Sequence, residues 1–198
     1  MRLRGTFVVA ALAATQLYGA FGQQAVSTSS TRPSSGINLA FDAQSGQMSA
    51  SGYTVRSAAA PASGATTTTG TVNLVITINL VSKPAFSPQI PCAAIVIGGA
   101  FDLSTPIIDG GIDTVSNNAV VDLKAKTATC MLSIPYEWTL PPDASASEAL
   151  FLGFAAASVE HDADHHRDVT RRSTIQVAGP LPLPPSGTTT TLAFATSL

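Results

Sequence analysis

Charge is scarce in this chain. Asp, Glu, Lys and Arg together make up 11% of its 198 residues, and long helix-forming charged stretches are missing. The formal net charge is −2, with no basic stripe to neutralise phosphates, so neither a nucleic acid nor an anionic membrane surface has a footprint here. Catalytic signatures are absent too: there is no Gly-x-Ser-x-Gly elbow, no His-Glu-x-x-His pair, no phosphate loop and no dinucleotide fingerprint. A Ser, His and Asp set assembled from distant positions would need its cleft at one loop, because all three histidines fall there. The expectation is a protein that is not an enzyme. No apolar run reaches the roughly 20 residues needed to span a bilayer; the richest, 72–81 and 92–101, are too short and punctuated. There is no internal repeat and no Asn-x-Ser/Thr glycosylation site.

What is present begins with an export signal. Arg2 and Arg4 precede an uncharged apolar stretch over 6–17, and Ala20 and Gly22 supply the small side chains a signal peptidase needs. Residues 1–22 therefore read as a signal peptide, with a mature chain starting at Gln23 and carrying a net charge of −4 once Arg2 and Arg4 are gone. Such a chain is secreted, periplasmic or at the cell surface, with no stable membrane insertion after cleavage. Export changes how Cys92 and Cys130 are read. They are the only two cysteines, they lack C-x-x-C spacing, and an oxidising compartment favours a structural disulfide between them. In the chain-entropy account such a bridge stabilises by about 3 to 4 kcal/mol.

Hydrophobic periodicity sets the fold class. Val72, Leu74, Ile76, Ile78 and Leu80 alternate with Asn73, Thr77 and Asn79, the period of two of a strand with one buried face. A second alternation runs through Ala128, Cys130, Leu132, Ile134, Tyr136, Trp138 and Leu140, which points Cys130 into the core. Pro135 cannot donate to a ladder, so that strand is an edge there or bends. Ile37, Leu39 and Phe41 precede a turn at Ser45 and Gly46; 92–101 is nearly continuous and apolar; Val121 and Leu123, 150–159, and Ile175 with Val177 mark further strands. About seven strands between Gly, Pro and Asn turns predict an all-β, antiparallel β-sandwich with one disulfide, a small barrel being the competitor.

Two segments, 23–36 and 57–71, are rich in Ser, Thr, Ala and Gly and read as a flexible leader and a long surface loop. The sandwich domain is then 37–179. Residues 180–198 follow as a Pro-rich spacer (Pro180, Pro182, Pro184, Pro185) and a candidate extra strand around Leu192 and Phe194. The stretch 150–159, the acidic turn 160–168 and the stretch 174–177 together resemble the last two strands of an immunoglobulin-like or fibronectin-type domain of bacterial surface proteins. The turn lacks the usual Gly and the chain continues past the expected final strand. The resemblance implies adhesion, scaffolding or spacing but no particular ligand; the partner class expected for such a module is another protein or a surface glycan.

Chemistry concentrates in the same turn, Glu160-His161-Asp162-Ala163-Asp164-His165-His166-Arg167-Asp168. Imidazole and carboxylate groups suit Zn²⁺ or Cu²⁺, which makes His161, Asp162, Asp164, His165 and His166 candidate metal ligands; a solvated hairpin tip balanced by Arg167, Arg171 and Arg172 is the plainer reading. Asp109-Gly110-Gly111-Ile112-Asp113 invites a calcium reading, though a surface turn explains it as well. Tyr136 and Trp138 share one strand face and would serve as a sugar-stacking platform if Pro135 slipped the phase; in phase, they are core. The function expected is a secreted structural or interaction module. Its alternatives are an extracellular metal-binding protein, and a fibre or pilus-like subunit that exchanges its terminal segment by strand addition.

Overall fold

A computed structural model describes residues 37–56, 64–81, 88–102, 107–141, 148–163 and 165–198. The expected signal peptide and leader lie outside them. The described residues form eleven strands and no helix: β1 (Asn38–Asp42), β2 (Gln47–Ser51), β3 (Thr54–Arg56), β4 (Thr66–Asn79), β5 (Pro91–Asp102), β6 (Ile107–Asn118), β7 (Val120–Asp122), β8 (Thr127–Leu140), β9 (Glu148–Asp162), β10 (Arg167–Leu181) and β11 (Thr188–Ser197). The all-β class and the disulfide expected from the sequence are found. The number of strands is larger than expected, because β2 and β3 are short and polar and β6 has no apolar alternation to reveal it.

Two sheets carry the architecture. One has the order β10-β9-β5-β6-β3 and the other β11-β4-β8-β7, with β1 and β2 as a separate hairpin. Most pairings are antiparallel, but β3 runs parallel to β6 and β11 parallel to β4. The period-two strands behave as their sequences demand. β4 buries Val72, Leu74, Ile76 and Ile78, β8 buries Cys130, Leu132 and Ile134, and together they present one apolar face to the five-stranded sheet. β7 pairs only with Thr127 to Thr129 of β8, so Pro135 stands where that edge of β8 has no strand partner and its missing N–H costs nothing.

β5 and β9 differ in kind. Consecutive residues are buried in both, from Cys92 to Ile97 and from Leu150 to Ala157, so both faces of these strands are dry. One face, with Cys92, Ala94, Val96, Leu152 and Phe154, meets the four-stranded sheet. The other, with Ala93, Ile95, Ile97, Phe151 and Ala155, lies under the β1–β2 hairpin and its Ile37, Leu39, Phe41 and Met48. The molecule thus has three layers and two cores, where the sequence suggested a single core. The hairpin closes as its turn residues predict: Asp42 Oδ1 accepts from the backbone N–H of Gln44 at 2.9 Å and of Ser45 at 3.3 Å, and Gly46 takes φ +67°. The Asp42 carboxyl is held below its ordinary pKa by its hydrogen bonds, first with the Ser45 side chain and then with these two backbone donors.

Two expectations need correcting. The surface loop expected over 57–71 is strand from Thr66 onward, since threonine is β-branched and the ladder to β8 starts at Thr66 opposite Leu140. Residues 57–63 lie outside the described residues. For residues 180–198, the extra strand expected around Leu192 and Phe194 is present as β11, while the Pro-rich spacer is in part strand. Pro180 and Leu181 belong to β10, while β11 docks along β4 and buries Thr196 and Leu198, with Phe194 packed 4.9 Å from Phe154.

The Cys92–Cys130 disulfide joins β5 of one sheet to β8 of the other, and both cysteines are fully buried. Closing a loop with a sequence separation of 38 contributes about 4 kcal/mol in the chain-entropy account. Replacing both cysteines by Ala should lower the unfolding free energy in chemical denaturation by about that amount, with strand content unchanged in far-UV circular dichroism. A loss under about 1 kcal/mol would mean that the two cores hold the sheets without the bridge.

Candidate functional site

The His/Asp turn joins β9 to β10, and the hairpin register decides which groups meet. Asp162 lies opposite Arg167 and His161 opposite Asp168. His161 Nδ1 is 2.9 Å from Asp168 Oδ1. His165 Nδ1 is 2.9 Å from Asp162 Oδ2, and the His165 backbone N–H donates to Asp162 Oδ1 at 3.3 Å. One step inward, Arg171 Nε donates to Glu160 Oε2 at 2.9 Å. His166 takes φ +49° and turns the chain back.

The described candidate ligands are therefore not gathered around one point. Asp162 and His165 come together, and His161 faces a carboxylate outside the candidate set. Asp168 was legible in principle, since counting outward from the turn pairs 161 with 168. Asp164 lies outside the described residues. Among the described residues no group of three or more His, Cys, Asp or Glu side chains converges as a metal site would require. The side chains of His161 and His165 are 62% and 66% exposed, so these solvated contacts contribute little to stability.

Beside this tip lies an open polar cleft between the β1–β2 turn and the ends of β6 and β10, lined by Gln44, Gln89, Ser116, Asn117 and Asp168. Ser116 and the His161–Asp168 pair invite comparison with a nucleophile and its base. In the ladder Ser116 pairs with Ala93 and Ala93 with Ala155, six residues along β9 from His161. Ser116 and Asp168 line the same cleft, but Ser116 Oγ accepts from Gln47 Nε2 at 3.4 Å and, among the described residues, has no hydrogen bond to His161 or Asp168.

The other candidates are taken up by packing and pairing within the fold. Tyr136 and Trp138 are 4% and 3% exposed and stack on each other at 4.2 Å, facing the five-stranded sheet. The alternation of β8 runs through Pro135 without a phase slip, so they offer no outward platform for a sugar. Asp109 to Asp113 is not a turn but the middle of β6. Gly98 pairs with Gly111, and a Cβ at either would run into the Trp138 ring, so the two glycines form the floor on which the indole lies. Neither flanking carboxylate is free for calcium. Asp109 takes a two-pronged contact from Arg56, Nε to Oδ1 at 2.8 Å and Nη2 to Oδ2 at 2.9 Å, and Asp113 Oδ2 accepts from Trp138 Nε1 at 2.8 Å. Sequence reading missed this role because an Asp-flanked Gly-Gly has turn composition, and only the indole across the core explains it.

Tyr136 Oη is buried without a hydrogen-bond partner, and burial raises its pKa above the ordinary 10.0. Burial raises the pKa of Tyr53 as well. No family model, no curated protein and no solved structure matches this chain.

Two predictions test the buried site. Gly111→Ala should push the indole off its floor, costing about 2 to 3 kcal/mol by overpacking and shifting the emission of the sole tryptophan to the red; an unchanged spectrum and stability would show that the floor has room. Because the folded tyrosine pKa values lie above the unfolded value, their contribution is intact below about pH 10 and is lost as pH rises through the folded values. Tyr136→Phe should flatten that alkaline decline. At pH 7 the variant should be as stable as the parent or about 1 kcal/mol more so, since an orphaned hydroxyl leaves the core. A loss of more than 1 kcal/mol in urea denaturation would mean that Oη has a partner.

Proposed function

We propose that this chain is an exported structural or interaction module on an immunoglobulin-like sandwich, without catalytic activity, that meets a protein or surface glycan in the periplasm, at the cell surface or outside the cell. The observation that carries this reading is the position of its reactive groups. Among the described residues, the imidazole pairs stand on an exposed hairpin tip, His161 with Asp168 and His165 with Asp162, open to the water that a catalytic site would exclude. The inter-sheet disulfide supports export, because a buried bridge between two layers suits an oxidising compartment.

A secretory bacterial host expressing the full chain tests this reading. The exported product should begin at Gln23 with Cys92 and Cys130 joined, by intact mass spectrometry under non-reducing conditions. It should bind saturably to an extracellular protein or glycan on an array, and turn over no ester, glycoside or peptide substrate. Uncleaved product held in the cytoplasm, or turnover that His161→Ala abolishes, would overturn it.

One observation favours a second reading. Asp162 Oδ2 already stands 2.9 Å from His165 Nδ1 at the tip, the carboxylate–histidine pairing that leaves Nε2 to take a zinc or copper ion. Dialysis against substoichiometric zinc followed by elemental analysis separates the readings. A retained equivalent that is lost when His161, His165 and His166 are all replaced by Ala would put metal binding first.

A further inference from the structure

Among the described residues, every outer edge of the two main sheets except β11 carries a feature that discourages an added strand. β3 and β7 are three residues long and end on Arg56 and Asp122. The unpaired part of β8 contains Pro135, and its Met131 carbonyl accepts from Asn117 Nδ2 of β6 at 3.4 Å. On β6, the stretch beyond β3 carries Asp113, tied to Trp138 of the facing sheet. β10 is charged at Arg167, Asp168 and Arg171 and breaks register between Thr170 and Arg172 and again between Ala178 and Leu181. Short strands, charge, proline and bulges are the usual means of keeping an edge single.

β11 has none of these features. It is ten residues long, has no charged residue and no proline, and runs in unbroken register along β4 with no strand on its other side among the described residues. Its free hydrogen-bonding groups can be assigned. Leu198 both donates to Asn79 O at 2.9 Å and accepts from Val81 N at 2.8 Å, so its backbone faces β4. Backbone groups alternate sides along a strand, so Thr189, Thr191, Ala193, Ala195 and Ser197 direct their N–H and C=O groups to the open edge.

We propose that this edge is where a second copy of the chain docks, β11 against β11, antiparallel about a two-fold axis, joining two four-stranded sheets into one of eight. A second copy is the fitting occupant for two reasons. An isologous contact must be self-complementary, and an uncharged strand brings nothing that repels its own copy. The outer face of the sheet also selects the register. Met131, 63% exposed, pairs with Val75, and Val75 with Ala193, which makes an apolar row across the sheet. Placing Ala193 opposite Ala193 of the partner subunit continues that row without a break into the second sheet. Thr191 then lies opposite Ala195 of the partner subunit, and Thr189 opposite Ser197 of the partner subunit. The inference goes beyond the module reading and does not depend on it, because export and ligand binding are measured separately from self-association.

Sedimentation velocity of the full chain over a concentration series gives the test. The parent protein should dimerise. Ala193→Lys sets two ammonium groups face to face on the axis and Ala193→Glu two carboxylates, so each variant alone should weaken self-association at least about tenfold. An equimolar mixture of the two should restore the dimer. Ala193→Pro removes only an outward N–H and should be monomeric with the parent melting temperature. A parent that is monomeric at every concentration, charge variants that still dimerise alone, or a Lys/Glu mixture that stays monomeric would each overturn the proposal.

Discussion

The architecture depends on β5 and β9 having no wet face. A strand buried on one side can follow a simple alternation and leave its other side to solvent. Once both sides are dry, every side chain must be apolar or small, and the sheet needs a cover above and below. Cys92 through Ile97 and Leu150 through Ala157 meet the first condition. The four-stranded sheet and the β1–β2 hairpin meet the second. Gly153 shows how close the hairpin comes, since a Cβ there would strike Leu39 of β1. Neither cover is dispensable: removing the hairpin would expose Ile95, Ile97 and Phe151 together, an apolar patch of the kind that drives association.

The disulfide and the Trp138 site secure the same pair of layers in different places. Cys130 and Trp138 both lie on the inner face of β8, and their partners are on β5 and β6 of the facing sheet. Side chains of ordinary size between two sheets set them about 10 Å apart. A flat indole spanning that gap needs a floor without side chains, which the pairing of Gly98 with Gly111 supplies, and its N–H needs an acceptor, which Asp113 supplies. Gly111 and Asp113 of β6 are therefore explained by one ring on another strand, whereas Gly110 is required by the close approach of the Gly98–Gly99 backbone and Asp109 is held by Arg56.

This is also where the sequence stops being legible. β4 and β8 announce themselves because a period of two is local information, and Cys130 and Trp138 take their orientation from it. The unbroken apolar run of β5 marks a strand too, but the same run gives no hint of what covers its second face. β6 misleads outright, since Asp-Gly-Gly-Ile-Asp has turn chemistry and its reason for being a strand lies across the core. The His/Asp tip sits between these cases. Its composition is plain from the sequence, yet which imidazole meets which carboxylate depends on the hairpin register, which sets His161 against Asp168 and His165 against Asp162.

Charge is distributed unevenly between the two sides of the molecule, and this bears on what each side can approach. The tip and the β10 edge hold Glu160 with Arg171, His161 with Asp168 and Asp162 with His165 in pairs that remain solvated. On the outward face of the four-stranded sheet, β4 and β11 carry only Thr, Asn, Ser, Ala and Val, and Glu137 is the one charge on β8. Bringing a charged surface against another macromolecule strips water from ions, at a cost that imperfect pairing does not recover. Hydroxyls, methyls and backbone amides lose far less, and an open ladder regains a hydrogen bond for each group it buries. Any contact that buries protein surface here is therefore favoured at β11 over the charged tip, which is better suited to small ions and to partners that bring their own opposite charge.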